Sequence, residues 1–174
     1  LEASLLVFRL QPYFSNISKR TVKSPKLYFT EVGLASYLLG LETTQQVSRD
    51  PLRGNLFENL VVADILKSRL NSGKEPNLFY LRTEKGFEVD LIMREGRTLK
   101  PIEIKSAATF NRGFLAALKR FCEAEPEAAD PLLIYDGENF PERNGVPCAN
   151  FRSWRPGTSA GAGAGRASRG RRGR

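Results

Sequence analysis

Three charged residues in the segment FEVDLIMREGRTLKPIEIKSA have the types and spacing that hydrolytic chemistry on a bound cation needs. Asp90, Glu103 and Lys105 form the pattern D-x12-E-x-K. Two neighbouring carboxylates offer the oxygen ligands that Mg²⁺ and Mn²⁺ prefer. An ammonium group beside them could orient an attacking water or stabilise a pentavalent phosphate.

The segment that carries these residues is typical of two short β-strands joined by a tight turn. If residues 96–97, Gly-Arg, form a two-residue type II′ turn, Glu95 pairs with Thr98. A three-residue loop is the alternative. It would shift the register by one residue and move every side chain of the first strand to the other face.

With the two-residue turn, Asp90 stands opposite Glu103, and Glu88 stands opposite Lys105. Side chains alternate along a strand, so Glu103 and Lys105 share one face. Facing carboxylates repel each other, and a divalent cation between them would remove the repulsion. The competing interpretation is a solvated hairpin rim with a surface ion pair, because D-x12-E-x-K is a short and degenerate pattern.

The segments around this hairpin predict an α/β sheet with helices packed against it. Residues 53–70 carry an apolar stripe at helical spacing, with Glu58 in the first turns. Residues 77–83 are a strand candidate, residues 111–125 a helix, and residues 131–137 a final apolar strand. The predicted order is therefore helix, three strands, helix, strand.

This order, with Glu on the helix, then Asp, then Glu-x-Lys, resembles the PD-(D/E)XK nuclease superfamily. The resemblance implies a restriction-endonuclease-like fold with an α-β-β-β-α-β core. More narrowly, the segments KSPKLYFTEVGLASYLLGL, RGNLFENLVVADILK and EVDLIMREGRTLKPIEIKSA resemble a C-terminal domain over roughly residues 5–140. That domain follows the AAA+ module in a family of bacterial and archaeal ATPases of poorly defined function.

The resemblance also implies roles for four residues. Asp90 and Glu103 would be metal ligands, Lys105 the catalytic lysine, and Glu58 a helix-borne acid that supports the metal or its water. The superfamily often has a proline before the first acid, where this chain has Val89. The implied cofactor is Mg²⁺ or Mn²⁺, and ATP would be used only by an upstream AAA+ module. AAA+ relatives often form rings, which leaves an oligomer open.

Composition excludes several other classes of site. The chain has no histidine, so Ser-His-Asp triads, Cys-His pairs and His-ligated zinc are excluded within it. Neither G-x-x-x-x-G-K-[ST] nor G-x-G-x-x-G occurs, so no nucleotide-triphosphate loop is present. Because no apolar run reaches the length of a membrane span and no signal peptide is visible, the sequence predicts a cytoplasmic protein without a membrane partner.

Three units are predicted along the chain. Residues 1–42 are expected to form a helical, winged-helix-like segment that links to an absent ATPase module. Residues 43–155 are expected to form the nuclease-like domain, reached through a polar linker at 41–55. Residues 156–174, rich in Gly, Ala and Arg, are expected to be disordered.

Within the first unit, residues 5–10 predict an amphipathic helix that ends at Pro12. A basic loop, a short strand at residues 27–29 and a helix through Leu39 are expected to follow. Gly40 is the expected residue after that helix.

Basic residues mark a possible nucleic-acid surface. Lys19, Arg20 and Lys23 lie in the predicted basic loop, and Lys100 and Arg112 flank the proposed site in sequence. The tail carries five arginines and no acids, out of a formal net charge of +8 for the whole chain. It could bind nucleic acid through counterion release, or it could be an unselected extension.

Three functions fit these observations. The first is Mg²⁺-dependent hydrolysis of DNA, and the second is nucleic-acid binding without cleavage. The third is a protein-interaction or regulatory domain of an ATPase, in which the carboxylates are structural. The presence of all four polar residues favours the first over the second.

Overall fold

A computed structural model describes residues 5–14 and 21–155. Within these residues the fold is mixed α/β, with one eight-stranded sheet and four α-helices. The strand order is β2-β1-β3-β4-β5-β6-β8-β7. The strands are β1 (Val7–Pro12), β2 (Lys26–Phe29), β3 (Leu78–Arg82), β4 (Glu88–Glu95), β5 (Thr98–Lys105), β6 (Leu132–Tyr135), β7 (Phe140–Arg143) and β8 (Val146–Asn150).

The helices lie on both faces of the sheet. They are α1 (Val32–Leu38), α2 (Thr44–Arg49), α3 (Arg53–Asn71) and α4 (Ala116–Ala124), the last preceded by a 3₁₀ turn at Arg112–Leu115. Ile102 and Ile104 of β5 pack in one apolar cluster with Val61 of α3. Leu99 of β5 belongs to a second cluster that contains Phe121 of α4. Because strand side chains alternate in direction, α3 and α4 cover opposite faces.

The central part of the fold confirms the predicted order of elements. α3, then β3, β4 and β5, then α4 and β6 follow the expected helix, three strands, helix and strand. The turn between β4 and β5 is the predicted two-residue turn, because Glu95 pairs with Thr98. Gly96 adopts a φ of 62°, which a glycine in the first position of a type II′ turn requires.

The predicted helix at residues 5–10 is wrong, because this segment is strand β1. Pro12 is the last residue of that strand rather than a helix stop. The buried positions Leu10 and Pro12 alternate with exposed Arg9 and Gln11, which is the period of a strand. β1 pairs antiparallel with β2 and parallel with β3, so the N-terminal segment extends the main sheet. The predicted winged-helix-like segment therefore has a strand where its first helix was expected.

Two further predictions need correction. The predicted polar linker at 41–55 contains α2, because Thr43 and Gln46 form a reciprocal capping box at its start. β6 is not the final strand, since β7 and β8 follow it and β8 pairs parallel with β6. The predicted strand at 27–29 is confirmed as β2 and the helix after it as α1, with Gly40 at a φ of 72° just beyond.

The tail at 156–174 lies outside the described residues, and the three-unit division of the chain stays a prediction. No helix in the described parts is both long enough and apolar enough to cross a membrane.

Candidate active site

A β-bulge in β4 positions Asp90. Phe79 pairs with Ile92, whereas Leu81 pairs with Val89, so the single residue Tyr80 of β3 stands opposite two residues of β4. Those two residues are Asp90 and Leu91. A bulge re-aims the side chains it contains, and bulges are frequent beside functional sites.

The two central strands separate at the same point. Backbone pairing between β4 and β5 runs from Glu95–Thr98 to Leu91–Ile102 and ends at that pair. Past it, the main-chain N–H of Ile104 donates to Oδ2 of Asp90 at 2.9 Å. The carboxylate of Asp90 therefore takes the place of a strand carbonyl in the gap between β4 and β5.

Asp90, Glu103 and Lys105 meet at this gap, and we call them the inner acidic group. Nζ of Lys105 lies 3.2 Å from Oδ2 of Asp90 and 2.5 Å from Oε1 of Glu103. The two carboxylates are nearly buried, with side-chain exposures of 11% and 8%, while that of Lys105 is 33%. The structure thus brings together the three residues that the sequence pattern singled out.

One ammonium cannot neutralise the charge of two buried carboxylates, and the pKa values of both acids are raised. Burial raises the pKa of Glu103 to about 7, and the charge of Asp90 adds to the rise against the opposing effect of Lys105. Burial likewise raises the pKa of Asp90, although Lys105 opposes it. Burial lowers the pKa of Lys105, but the two carboxylates outweigh this and raise it above its usual value. The inner acidic group is therefore short of positive charge when both acids ionise.

The chemistry of the donors fits a hard divalent cation. Glu103 has a buried Oε2 with no hydrogen-bond partner, and such an atom is costly unless it is satisfied. Asp90 and Glu103 already converge on one cation, the ammonium of Lys105. Mg²⁺ commonly uses one or two carboxylates and keeps several waters. Among the described residues, no three His, Cys, Asp or Glu side chains are grouped as a metal cluster, so protein carboxylates alone would not complete the shell.

Glu58 lies nearby on α3 but belongs to a second set of charges. Its Oε1 accepts hydrogen bonds from Nζ of Lys26 at 3.0 Å and from the hydroxyl of Tyr28 at 2.5 Å. Nζ of Lys26 also lies 2.5 Å from Oε1 of Glu88. We call Lys26, Glu58 and Glu88 the outer acidic group. Glu58, Glu88 and Asp90 line one cavity, and the charge of Glu58 contributes to the raised pKa of Asp90.

Lys26 and Tyr28 are partners that the sequence alone did not assign to the site. Two positions apart on β2, they project to the same side of the strand. Burial lowers the pKa of Lys26, but Glu58 and Glu88 outweigh it and raise the pKa, so the ammonium stays charged. The spacing of Lys26 and Tyr28 could have indicated that both side chains project to one side of a strand. Nothing in the local sequence indicates that they face α3, about thirty residues further along the chain.

Among the described residues, the predicted nucleic-acid contacts Lys23, Lys100 and Arg112 are not part of the inner acidic group. Lys19 and Arg20 lie outside the described residues. Lys23 is exposed beside Val22, whose N–H donates to the carbonyl of Arg82 at the cavity. Lys100 precedes Glu103 by three positions on β5, a separation of about 10 Å along a strand. Arg112 is exposed in the 3₁₀ turn. The role of Lys100 and Arg112 as phosphate contacts stays a prediction.

Comparison with known proteins assigns most of the chain to a family. Residues 53–154 match the family described as "Domain of unknown function (DUF4143)", and residues 1–45 match "Domain of unknown function (DUF8612)". The uncharacterized proteins Mb2031c of Mycobacterium bovis and Rv2008c of Mycobacterium tuberculosis are each 32% identical over 145 residues. The match covers 81% of this chain and 31% of each relative.

The chain thus spans about a third of the length of these curated relatives. No solved structure matches it significantly. The DUF4143 domain is found in AAA-ATPase-associated proteins. The match at residues 53–154 covers more than half of this chain, so the chain belongs to the DUF4143 family.

Proposed function

We propose that this chain hydrolyses phosphodiester bonds of DNA in a metal-dependent reaction, with the inner acidic group as the active site. The observation that carries the proposal is the convergence of two buried carboxylates on one ammonium, with Oε2 of Glu103 left without a partner. Perturbed carboxyl groups beside a cavity are typical of catalytic sites. The restriction-endonuclease-like fold is part of the same proposal.

Each residue has a chemical role in this proposal. Asp90 and Glu103 would hold Mg²⁺ or Mn²⁺, which supplies positive charge to the phosphate and lowers the pKa of a bound water. Lys105, charged and exposed on one side, orients the attacking water and stabilises the charge that develops on the phosphate oxygens. Glu58, held by Lys26 and Tyr28, adds negative charge on the cavity side of Asp90.

A larger context belongs to the proposal as well. We infer that the domain acts beside an AAA+ module in a longer protein, and that any use of ATP occurs in that module. The association of DUF4143 with AAA ATPases supports this inference. An oligomer and a cytoplasmic location are consistent with such a partner and remain part of the proposal.

Cleavage assays test the proposal directly. The 174-residue chain is incubated with labelled plasmid and single-stranded DNA in Mg²⁺, Mn²⁺ or EDTA. We expect metal-dependent cutting that falls by about 100- to 1,000-fold in Lys105→Ala, the loss typical of a removed transition-state donor. Asp90→Asn should lose it as well.

Lys119→Ala is the matched control, since it removes an exposed lysine of α4 that is not part of the site. Cutting that survives EDTA, or is equal in Lys105→Ala and the wild type, would contradict the proposal. DNA binding without cutting would favour a binding module, and neither behaviour would favour a protein-interaction domain.

A further inference from the structure

A cavity of about 610 Å³ opens beside the inner acidic group, between β2, the start of α3 and the ends of β3 and β4. Asp90 belongs both to this cavity and to the inner acidic group. Glu58 and Glu88 line the same cavity, together with Arg82, whose side chain is 55% exposed. A ligand in the cavity would therefore contact the proposed reaction centre through Asp90, since Glu103 and Lys105 do not line the cavity.

The rest of the cavity lining includes an apolar surface formed by leucine side chains. Leu38, Leu39 and Leu52 line the cavity, and we call them the apolar wall. Leu38 and Leu39 are 63% and 46% exposed, which is unusual for large aliphatic side chains grouped together. Such a grouping beside a charged centre fits a substrate that is apolar on one side and charged on the other.

We propose that the substrate is nucleic acid with unpaired nucleotides, and that the base next to the scissile phosphate packs against the apolar wall. This inference rests on the proposed function. A nucleotide presents a flat, largely apolar base next to a charged phosphate, so it matches both sides of the cavity. The exposed guanidinium of Arg82 lies where it can contact a neighbouring phosphate, and the amide of Asn55 lines the cavity near the base.

The depth of the carboxylates explains why the nucleotide must be unpaired. Asp90 lines the cavity and is only 7% exposed, so a phosphate reaches it from this side only if its flanking groups enter the cavity. The cavity has the size of a small-molecule pocket, which typically spans about 300–1,000 Å³. A stacked duplex cannot enter such a space. A base can enter after it leaves the stack, which costs a few kcal/mol in a duplex and least in a single strand.

The inference is tested by binding without cleavage. Fluorescence anisotropy in Ca²⁺, which supplies positive charge at the carboxylates, measures the affinity of the 174-residue chain for a labelled 12-nucleotide single strand and for the same sequence as a duplex. We expect the single strand to bind at least about tenfold more tightly. A 2-aminopurine base in the oligonucleotide should become more fluorescent on binding, because it leaves its stacked neighbours.

Variants of the apolar wall locate the base. Leu38→Ser and Leu39→Ser should each weaken single-strand binding by about tenfold, the loss expected when a base loses its packing surface. Leu70→Ser is the control, since Leu70 is also exposed, at 52%, but lies at the far end of α3. All three positions are exposed, so the variants should fold as the wild type does.

The outcomes separate this inference from the proposed function. Equal affinity for duplex and single strand, or wall variants that bind like the wild type, would overturn the inference. The proposed function would still hold if the same protein cuts DNA in a metal-dependent reaction. Single-strand binding that depends on the apolar wall, in a protein that does not cut DNA, would support the base-binding surface and overturn the proposed function. A wild-type dimer that Leu38→Ser converts to a monomer would assign the wall to a second copy of the chain and also overturn the inference.

Discussion

The inner and outer acidic groups are built alike and behave differently. In each, one lysine ammonium bridges two carboxylates: Lys105 joins Asp90 to Glu103, and Lys26 joins Glu58 to Glu88. The carboxylates of the outer group are 20% and 30% exposed, against 11% and 8% for the inner group.

Hydrogen bonding widens the difference. Glu58 also accepts from Tyr28, and Glu88 lies 3.6 Å from Nε of Arg82, so the outer group has donors in addition to its lysine. In the inner group Glu103 retains a buried oxygen without a partner. The comparison indicates that the outer group is a satisfied ion-pair network, whereas the inner group needs another cation or a proton.

The largest contrast should appear in catalysis. Asp90→Asn removes a proposed metal ligand and should lower Mg²⁺-dependent cleavage by more than about 100-fold. Even the mutation of a residue that only hydrogen-bonds a metal ligand typically lowers metal affinity or activity by about 10- to 100-fold. Glu88→Gln, the matching change in the outer group, should lower it by less than about threefold, the effect of a charge already held by Lys26 and Arg82. Initial rates on labelled DNA measure both. Equal losses would erase the distinction between the groups.

The pH dependence of stability should come from the inner group. The pKa of Glu103 in the fold is about 7, above its usual 4.5, so the native state binds more protons than the unfolded state between these values. Stability should therefore fall as pH rises through about 4.5 to 7. Glu103→Gln, which stays neutral, should raise the free energy of unfolding at pH 8 by about 1–3 kcal/mol.

Urea denaturation at pH 5 and pH 8 checks this prediction in the absence of divalent cations. The gain from Glu103→Gln should be largest at pH 8 and shrink towards pH 5. A variant that is less stable than the wild type at pH 8 would contradict the assignment of uncompensated charge to Glu103.

The outer group should matter more for stability than for chemistry. Lys26→Met leaves Glu58 and Glu88 facing each other without their shared ammonium. The free energy of unfolding should fall by about 1–2 kcal/mol, less than for a fully buried pair because solvent screens these side chains. Lys100→Met is the control, and chemical denaturation at pH 7 is the measurement. A cost no greater than that of the control would show that the Lys26 bridge is dispensable.

The smallest expected effect is at the hydroxyl of Tyr28. Tyr28→Phe removes one donor to Glu58 but keeps the ring in the core, so it should cost about 0.5–1.5 kcal/mol of stability. Because Lys26 still holds Glu58, metal-dependent cleavage should change little. A loss of cleavage comparable to that of Asp90→Asn would instead place Tyr28 in the reaction.

The sequence predicted the central fold and the residues of the inner group because the relevant signals are local. A Gly-first turn fixed the register of β4 and β5, and the apolar stripe of residues 53–70 predicted α3. The bulge at Asp90 and Leu91 was not predictable from spacing, because it depends on pairing with β3. Continuing the ideal register placed the carboxylate of Asp90 across from Glu103, whereas it lies in the gap between the strands.

The errors have identifiable causes. The apolar residues Leu5, Leu6, Phe8 and Leu10 suggested an amphipathic helix. Residues 7–12 are a strand instead, because they pair with β2 and with β3, some seventy residues away. The β7–β8 hairpin did have a local signal that was overlooked. Asn144-Gly145 is the typical type I′ dipeptide, and both residues have positive φ, at 53° and 82°.

The most direct test of the account is a calorimetric titration of the wild-type chain with Mn²⁺ at pH 6 and pH 8. We predict one site that binds more tightly at pH 8, because a ligating Glu103 must lose its proton, and that disappears in Asp90→Asn and Glu103→Gln but persists in Glu88→Gln. No heat of binding at either pH, or equal binding by all four proteins, would contradict the claim that the inner acidic group is a cation site.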